Sequence, residues 1–134
     1  VIAIDTNILV RLLIKDPSEQ AQIDQAKALL QEVEQIYIPQ IVQVELVWVL
    51  ESAYNFKKSD VLLALNHINN QPNFHLQSPL LFQLALEKFS QNNVDFSDCL
   101  IWAESQQQSC TLATFDRKLG QLVGTKWLKI TKGD

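Results

Sequence analysis

The chain contains no methionine, and only two cysteines and two histidines among its 134 residues. The absent initiator methionine suggests a trimmed or incomplete chain. No apolar run reaches the ~18 uncharged residues that a membrane helix needs; the longest, Ile41 to Leu50, is broken by Gln43 and Glu45. No basic segment followed by an apolar stretch opens the chain, so no signal peptide is expected. Cys99 and Cys110 lie in apolar runs without metal-ligand spacing. They read as buried free thiols in a reducing cytoplasm. Internal repeats, low-complexity tracts and linkers are also missing, which implies a single domain, 1–134, with one core.

What remains is an ordinary globular composition, 47% hydrophobic and 19% charged. Fifteen acids against eleven bases set the net charge at −4. Arg117, Lys118, Lys126, Lys129 and Lys132 all fall in the last 18 residues. A basic C-terminal surface beside an acidic site suits a polyanion held near metal ions.

Strand and helix signals alternate along the chain. Val1 to Ile4 reads as a short buried strand, followed by Asp5, Thr6, Asn7 and a second apolar run, Ile8 to Leu13. Asp16-Pro17-Ser18-Glu19 reads as a helix start with a capping box, and Ile23, Ala26, Leu30 and Val33 recur at helical spacing. Ile36-Tyr37-Ile38 is a second strand. Gln40 to Tyr54 is a helix apolar nearly all round and therefore buried on most sides. Ser59 is expected to cap the next helix, with Val61, Leu62, Leu65 and Ile68 inward. Phe74-His75-Leu76 is a third strand, and Ser78-Pro79 opens a helix with Leu80, Leu81, Leu84, Ala85 and Phe89 on its apolar side. A turn-rich loop then leads through Asp98 into another apolar helix. Cys110 to Thr114 is a fourth strand, and Trp127 to Ile130 a last one at the edge. Alternation of this kind means a parallel sheet with helices on both faces.

Four acids fall where such folds bind ligands, outside the carboxyl ends of the strands. Asp5 ends the first strand, Glu45 lies on the helix after the second, Asp98 opens a helix, and Asp116 follows the fourth strand. They are separated by 40, 53 and 18 residues. Right-handed crossovers place all strand C-termini of a parallel sheet on one edge, so the four are able to meet. Carboxylates ~4 Å apart repel by about 4 kcal/mol per pair at an effective dielectric of ~20. Proton uptake or a divalent cation must offset that cost. No histidine stands at these positions, and an all-oxygen set favours Mg²⁺ or Mn²⁺ over Zn²⁺. Such ions activate water and stabilise the leaving oxygen in phosphodiester cleavage. Each acid also has a plainer reading: Asp98 suits the first turn of its helix by dipole interaction, and Asp116 could cap a short helix.

At these residues the chain resembles the PIN-domain family and, within it, the VapC-type toxins. The resemblance rests on DTNILVRLL at Asp5–Leu13, Val42-Gln43-Val44-Glu45-Leu46, VDFSDCLIWA at Val94–Ala103 and ATFDRKL at Ala113–Leu119. It implies a three-layer α/β/α sandwich with a central parallel sheet and Mg²⁺- or Mn²⁺-dependent ribonuclease activity. Carried over by position, Asp5, Glu45, Asp98 and Asp116 form the acidic quartet, with Asp5 and Asp98 the foremost metal ligands. Glu45 and Asp116 bind the ion or orient the attacking water. Thr6 and Asn7 belong to the first motif, and Thr114 is the hydroxyl residue before the last acid. Asn7 and Thr114 are expected to hold carboxylates by hydrogen bonds. Arg11 is expected to pair with a site acid or a substrate phosphate, or to lie exposed. Asp95, three residues before Asp98, reads as a helix cap rather than a fifth ligand. Trp48 and Trp102 read as core or subunit-packing residues, and His67 and His75 as structural.

The resemblance further implies an RNA substrate, a VapB-like antitoxin whose tail covers the site, a homodimer, and a cytoplasmic protein. The competing readings are an RNA-processing nuclease without a toxin role and a non-catalytic RNA- or protein-binding module. A phosphotransfer domain is disfavoured: Asn7 stands where a haloacid-dehalogenase-like enzyme needs a second Asp, and the paired acids of a receiver are missing.

Overall fold

The computed structural model describes residues 1–130, in the order β1 (Ile2–Ala3), α1 (Thr6–Leu13), α2 (Gln20–Glu32), β2 (Ile36–Ile38), α3 (Gln40–Ala53), α4 (Lys58–Asn70), β3 (Phe74–Leu76), α5 (Pro79–Gln91), α6 (Phe96–Gln107), β4 (Leu112–Thr114) and β5 (Thr125–Trp127). Lys132 of the basic cluster lies outside the described residues. The chain divides into two compact units, Val1–Pro79 and Leu80–Asp134. The α/β class holds, and every strand pair is parallel. Among the described residues the strands form a three-stranded sheet, β1-β2-β3, in the first unit and a two-stranded sheet, β4-β5, in the second.

In the first unit, β1 pairs with β2 through Ile2↔Ile36 and β2 with β3 through Ile36↔Phe74. Ile36 and Ile38 are fully buried and Tyr37 between them is exposed, the period-two pattern of a strand covered on one face. Leu9 and Val10 of α1 and Leu46 and Leu50 of α3 fill the core with Val61, Leu65 and Ile68 of α4. α3, expected to be buried on most sides, buries one face, Val42, Gln43, Leu46, Val47 and Leu50, and opens an apolar stripe to water. Ile41 and Trp48 are 64% and 68% exposed, and Glu45 shares their outward stripe at i, i+4, i+7. Trp48 is therefore no core residue of this chain.

The polar residue that α3 does bury is Gln43. Its Nε2 donates to the carbonyls of Ile38 (3.2 Å), the last residue of β2, and Gln77 (3.1 Å), just beyond β3. That pair of bonds fixes the carboxyl ends of two strands over the start of α3. Glu45, two residues on, is turned about 200° round the helix and faces water.

Two helix starts differ from expectation. Asp16 caps as anticipated, accepting from the Ser18 amide (3.2 Å) and hydroxyl (2.6 Å). Glu19 does not return to complete a capping box; it lies 3.9 Å from Arg11. The hydrogen bonds from Ser18, then Tyr54, hold the Asp16 carboxyl below its usual range. α4 begins at Lys58, ahead of Ser59, because the Asp60 carboxylate accepts from the Lys57 amide (3.1 Å) and so fixes the first turn.

The second unit packs Phe82, Phe89 and Phe96 edge to face, with ring centroids 5.7 and 5.8 Å apart across Phe96. Leu81, Ala85, Cys99, Leu100 and Trp102 complete this core. The Trp102 indole donates to the Val123 carbonyl (2.7 Å) and so ties α6 to the segment entering β5. Leu80 is 74% exposed rather than inward, since α5 turns its Leu81–Phe82 side to the core. Cys110 is exposed, against expectation, because β4 begins only at Leu112; Cys99 is buried. The last strand likewise ends at Trp127 instead of running on to Ile130. Among the described residues no helix is long and apolar enough to cross a membrane.

Candidate active site

In the first unit two acids flank one link. Asp5 leaves β1 and becomes the N-cap of α1: its Oδ1 accepts from the Ile8 amide at 3.0 Å. The bond satisfies an orphan amide of the first turn and leaves the second carboxylate oxygen uncommitted. Thr6, the first residue of α1, donates its hydroxyl to Oε1 of Glu45 at 3.2 Å. Thr6 thus joins the helix carrying Asp5 to the exposed carboxylate of α3, the task the sequence suggested for Asn7.

Asn7 instead lines a cavity of about 310 Å³ with Ile8, Arg11 and residues of α2. Arg11 bonds neither Asp5 nor Glu45. Its Nε donates to Gln22 (2.7 Å) and its Nη1 to the Tyr54 hydroxyl (3.1 Å), which in turn donates to Asp16 (3.0 Å). This chain fastens the far end of α1 to the end of α3, so α1 is tied to α3 near both of its own ends, through Thr6–Glu45 and Arg11–Tyr54.

In the second unit Asp98 and Asp116 line one cavity of about 320 Å³ with Asn93, Val94, Asp95, Arg117 and Lys118. Asp116 likewise accepts the amide three residues on: its Oδ1 takes the Leu119 N–H (2.8 Å), at the first residue of the short 3₁₀ turn Leu119–Gln121, whose N-cap is Lys118; its other oxygen has no hydrogen bond among the described residues. Thr114 does not hold that carboxylate. Its hydroxyl oxygen accepts from the Asp116 amide (3.0 Å), shaping the backbone as it leaves β4. Asp98 stands in the first turn of α6. Burial raises its carboxyl above the usual range, and the negative charges of Asp95 and Asp116 add to the effect. Asp95 occupies the N-cap position, yet its side chain makes no capping bond. It is the cavity residue that sequence reasoning set aside, and its three-residue spacing from Asp98 was the available signal.

The donors present suit an oxygen-preferring divalent cation. In the first unit Asp5 keeps one carboxylate oxygen without a hydrogen bond among the described residues; in the second Asp116 does the same, and the electrostatic pressure on Asp98 is of the sign a cation relieves. As they stand, no three His, Cys, Asp or Glu among the described residues are grouped as a ready-made metal site. Arg117 and Lys118 put two positive charges on the rim of the second unit's cavity, where they are able to meet a phosphate.

An α/β chain with parallel strands and acids at their carboxyl ends falls into a defined class, and the comparison with known families names it. The family model of the PIN domain matches residues 2–124, and the chain belongs to that family. It is also similar to a VapC ribonuclease of Aquifex aeolicus (strain VF5), 25% identical over 121 residues, which span 89% of this chain and 90% of that protein.

Proposed function

We propose that the protein is a metal-dependent endoribonuclease acting as the toxin of a type II toxin–antitoxin pair, with residues 1–134 working as one PIN-like nuclease domain. Asp5, Glu45, Asp98 and Asp116 serve together as its acidic quartet and take Mg²⁺ or Mn²⁺. The observation that supports this reading is that the first and last of these acids each follow a parallel strand and accept the amide three residues on through Oδ1, with the second oxygen turned to no hydrogen bond among the described residues. Membership of the PIN family and the likeness to a VapC ribonuclease support it.

Each side chain then has a task. Asp5 and Asp98 would hold the ion directly; Glu45, steadied by Thr6, and Asp116 would bind it or orient the attacking water. Arg11 and Asn7 support α1, and Thr114 fixes the peptide that presents Asp116. A bound divalent ion supplies positive charge at the phosphate oxygens and makes water easier to deprotonate. The reading includes a cytoplasmic homodimer and a VapB-like antitoxin whose tail covers the acids, a basic side chain competing with the ion.

The test is digestion of cellular RNA with and without divalent metal, mapping the cut ends, beside growth of cells producing the protein alone. Expected are metal-dependent cleavage at defined sites and growth arrest relieved by the antitoxin. Cleavage unaffected by chelation refutes the metal role. Cleavage without growth arrest replaces the toxin with a processing enzyme.

A further inference from the structure

Phe115 stands between Thr114 and Asp116 with 69% of its surface exposed. Single exposed apolar residues are common on protein surfaces; this one differs in how firmly its backbone is held. On one side, Thr114 pairs with Trp127 across the β4–β5 ladder, and the Leu128 amide donates to the Thr114 carbonyl (2.7 Å). The Phe115 carbonyl itself accepts from the Trp127 indole (3.2 Å). On the other side, the Asp116 amide and carboxylate are both bonded, to Thr114 (3.0 Å) and Leu119 (2.8 Å). Trp127 is in turn fixed against Gly120, where a Cβ would come within 2.6 Å of its own Cβ. The anchors are spent on the peptide, and the ring is left in water.

The surroundings decide what such a ring meets. Arg117 and Lys118 stand two and three residues after it and line the cavity with Asp116. Lys126 and Lys129 flank Trp127, and the Lys129 ammonium lies 5.5 Å above its ring. Protein–protein contact centres are depleted of lysine, whereas grooves for single-stranded nucleic acid combine aromatic platforms with Lys and Arg. We propose that Phe115 is a stacking platform for an unpaired RNA base beside the phosphodiester bond that is cut, with Arg117 and Lys118 holding the adjoining phosphate. The substrate is accordingly single-stranded, because a duplex keeps its base faces covered. This rests on the nuclease reading and names a specificity-determining residue within it.

The test uses a short single-stranded RNA containing a site cut by the wild-type protein. KM and kcat are measured for the wild type and for Phe115→Trp, Phe115→Leu and Phe115→Ala. A base stacked on an aromatic ring is held roughly 5- to 100-fold more tightly than without it. KM should therefore rise by about that factor for both Leu and Ala, with kcat within about threefold, while Trp stays near the wild type. An abasic nucleotide next to the cut should weaken the wild type by a similar factor and add little to the Ala variant. Leu behaving as wild type would show that apolar bulk, not a π face, is needed, and would overturn stacking. Unchanged KM in the Ala variant overturns it too, as does loss of the native oligomeric state in light scattering, which would assign the ring to a protein contact. A wild type that cuts no RNA takes the nuclease reading down with it; a wild type that cuts, beside variants that cut equally well, removes the platform alone.

Discussion

Asp5 carries two separable duties, and two substitutions at one position tell them apart. The carboxylate caps α1 through Oδ1, and in the proposed mechanism it also binds the ion. Asp5→Asn keeps an acceptor at the cap and loses only the charge at an exposed helix N-terminus, worth about 0.3 kcal/mol. Asp5→Ala loses the charge and the cap, whose removal costs about 1 kcal/mol. For a chain of 134 residues the unfolding entropy is roughly 0.28 kcal/mol per kelvin. The Asn variant should then melt within about 2 °C of the wild type and the Ala variant about 4–5 °C below it. Both should lose RNA cleavage by at least about 10²-fold, since an ion's charge stabilisation is worth several kcal/mol and each ~1.4 kcal/mol is tenfold. Melting in chelator and single-turnover cleavage in Mg²⁺ read the two duties independently. An Asn variant that cleaves RNA within twofold of the wild type removes Asp5 from the chemistry. Equal melting of Asn and Ala variants shows that the cap bond does not stabilise the fold.

Two further outcomes follow from the same contacts. Asp98 has its carboxyl raised by burial first, then by Asp95 and Asp116, so the folded state holds that proton more tightly than the unfolded chain does. Ionised Asp98 therefore costs stability at neutral pH, and the cost fades as pH falls through its folded pKa toward the ordinary value of 3.8. In chelator, Asp98→Asn should melt higher than the wild type at pH 7 by a margin that shrinks toward pH 4; a margin that widens in acid reverses the argument. Gln43→Ala should cost about 2–4 kcal/mol in denaturant unfolding, from two lost hydrogen bonds and the cavity left behind. A loss under about 0.5 kcal/mol would mean that its bonds to Ile38 and Gln77 contribute nothing net.

How far these features were legible in the sequence varies with the physics behind them. Strands β2 and β3 were readable to the residue, because each apolar triplet is bounded by turn residues and pairs along its full length. The parallel class followed from alternation, but the division of strands between two sheets did not, since pairing partners are chosen by tertiary packing. Within α3 the sequence showed two polar interruptions, Gln43 and Glu45, and could not say which pointed inward. Both break an apolar run, and only the carbonyls of Ile38 and Gln77 make the glutamine the buried one. Asp5, at the end of the first strand, is exposed, and its placement is explained by the amide it caps. The bond to Glu45, expected of Asn7, is made by Thr6 for a similar reason. Thr6 and Asn7 are one helical step apart, about 100°, and that rotation decides which reaches Glu45.

The unequal exposure of the two thiols has a practical use. Cys99 is sealed in the core while Cys110 stands open at the approach to β4, so a maleimide dye under native conditions should attach at one position without mutagenesis. A fluorophore there sits two residues ahead of β4, the strand that leads to Phe115 and Asp116. The natural chain thereby carries its own attachment point for watching nucleic acid arrive.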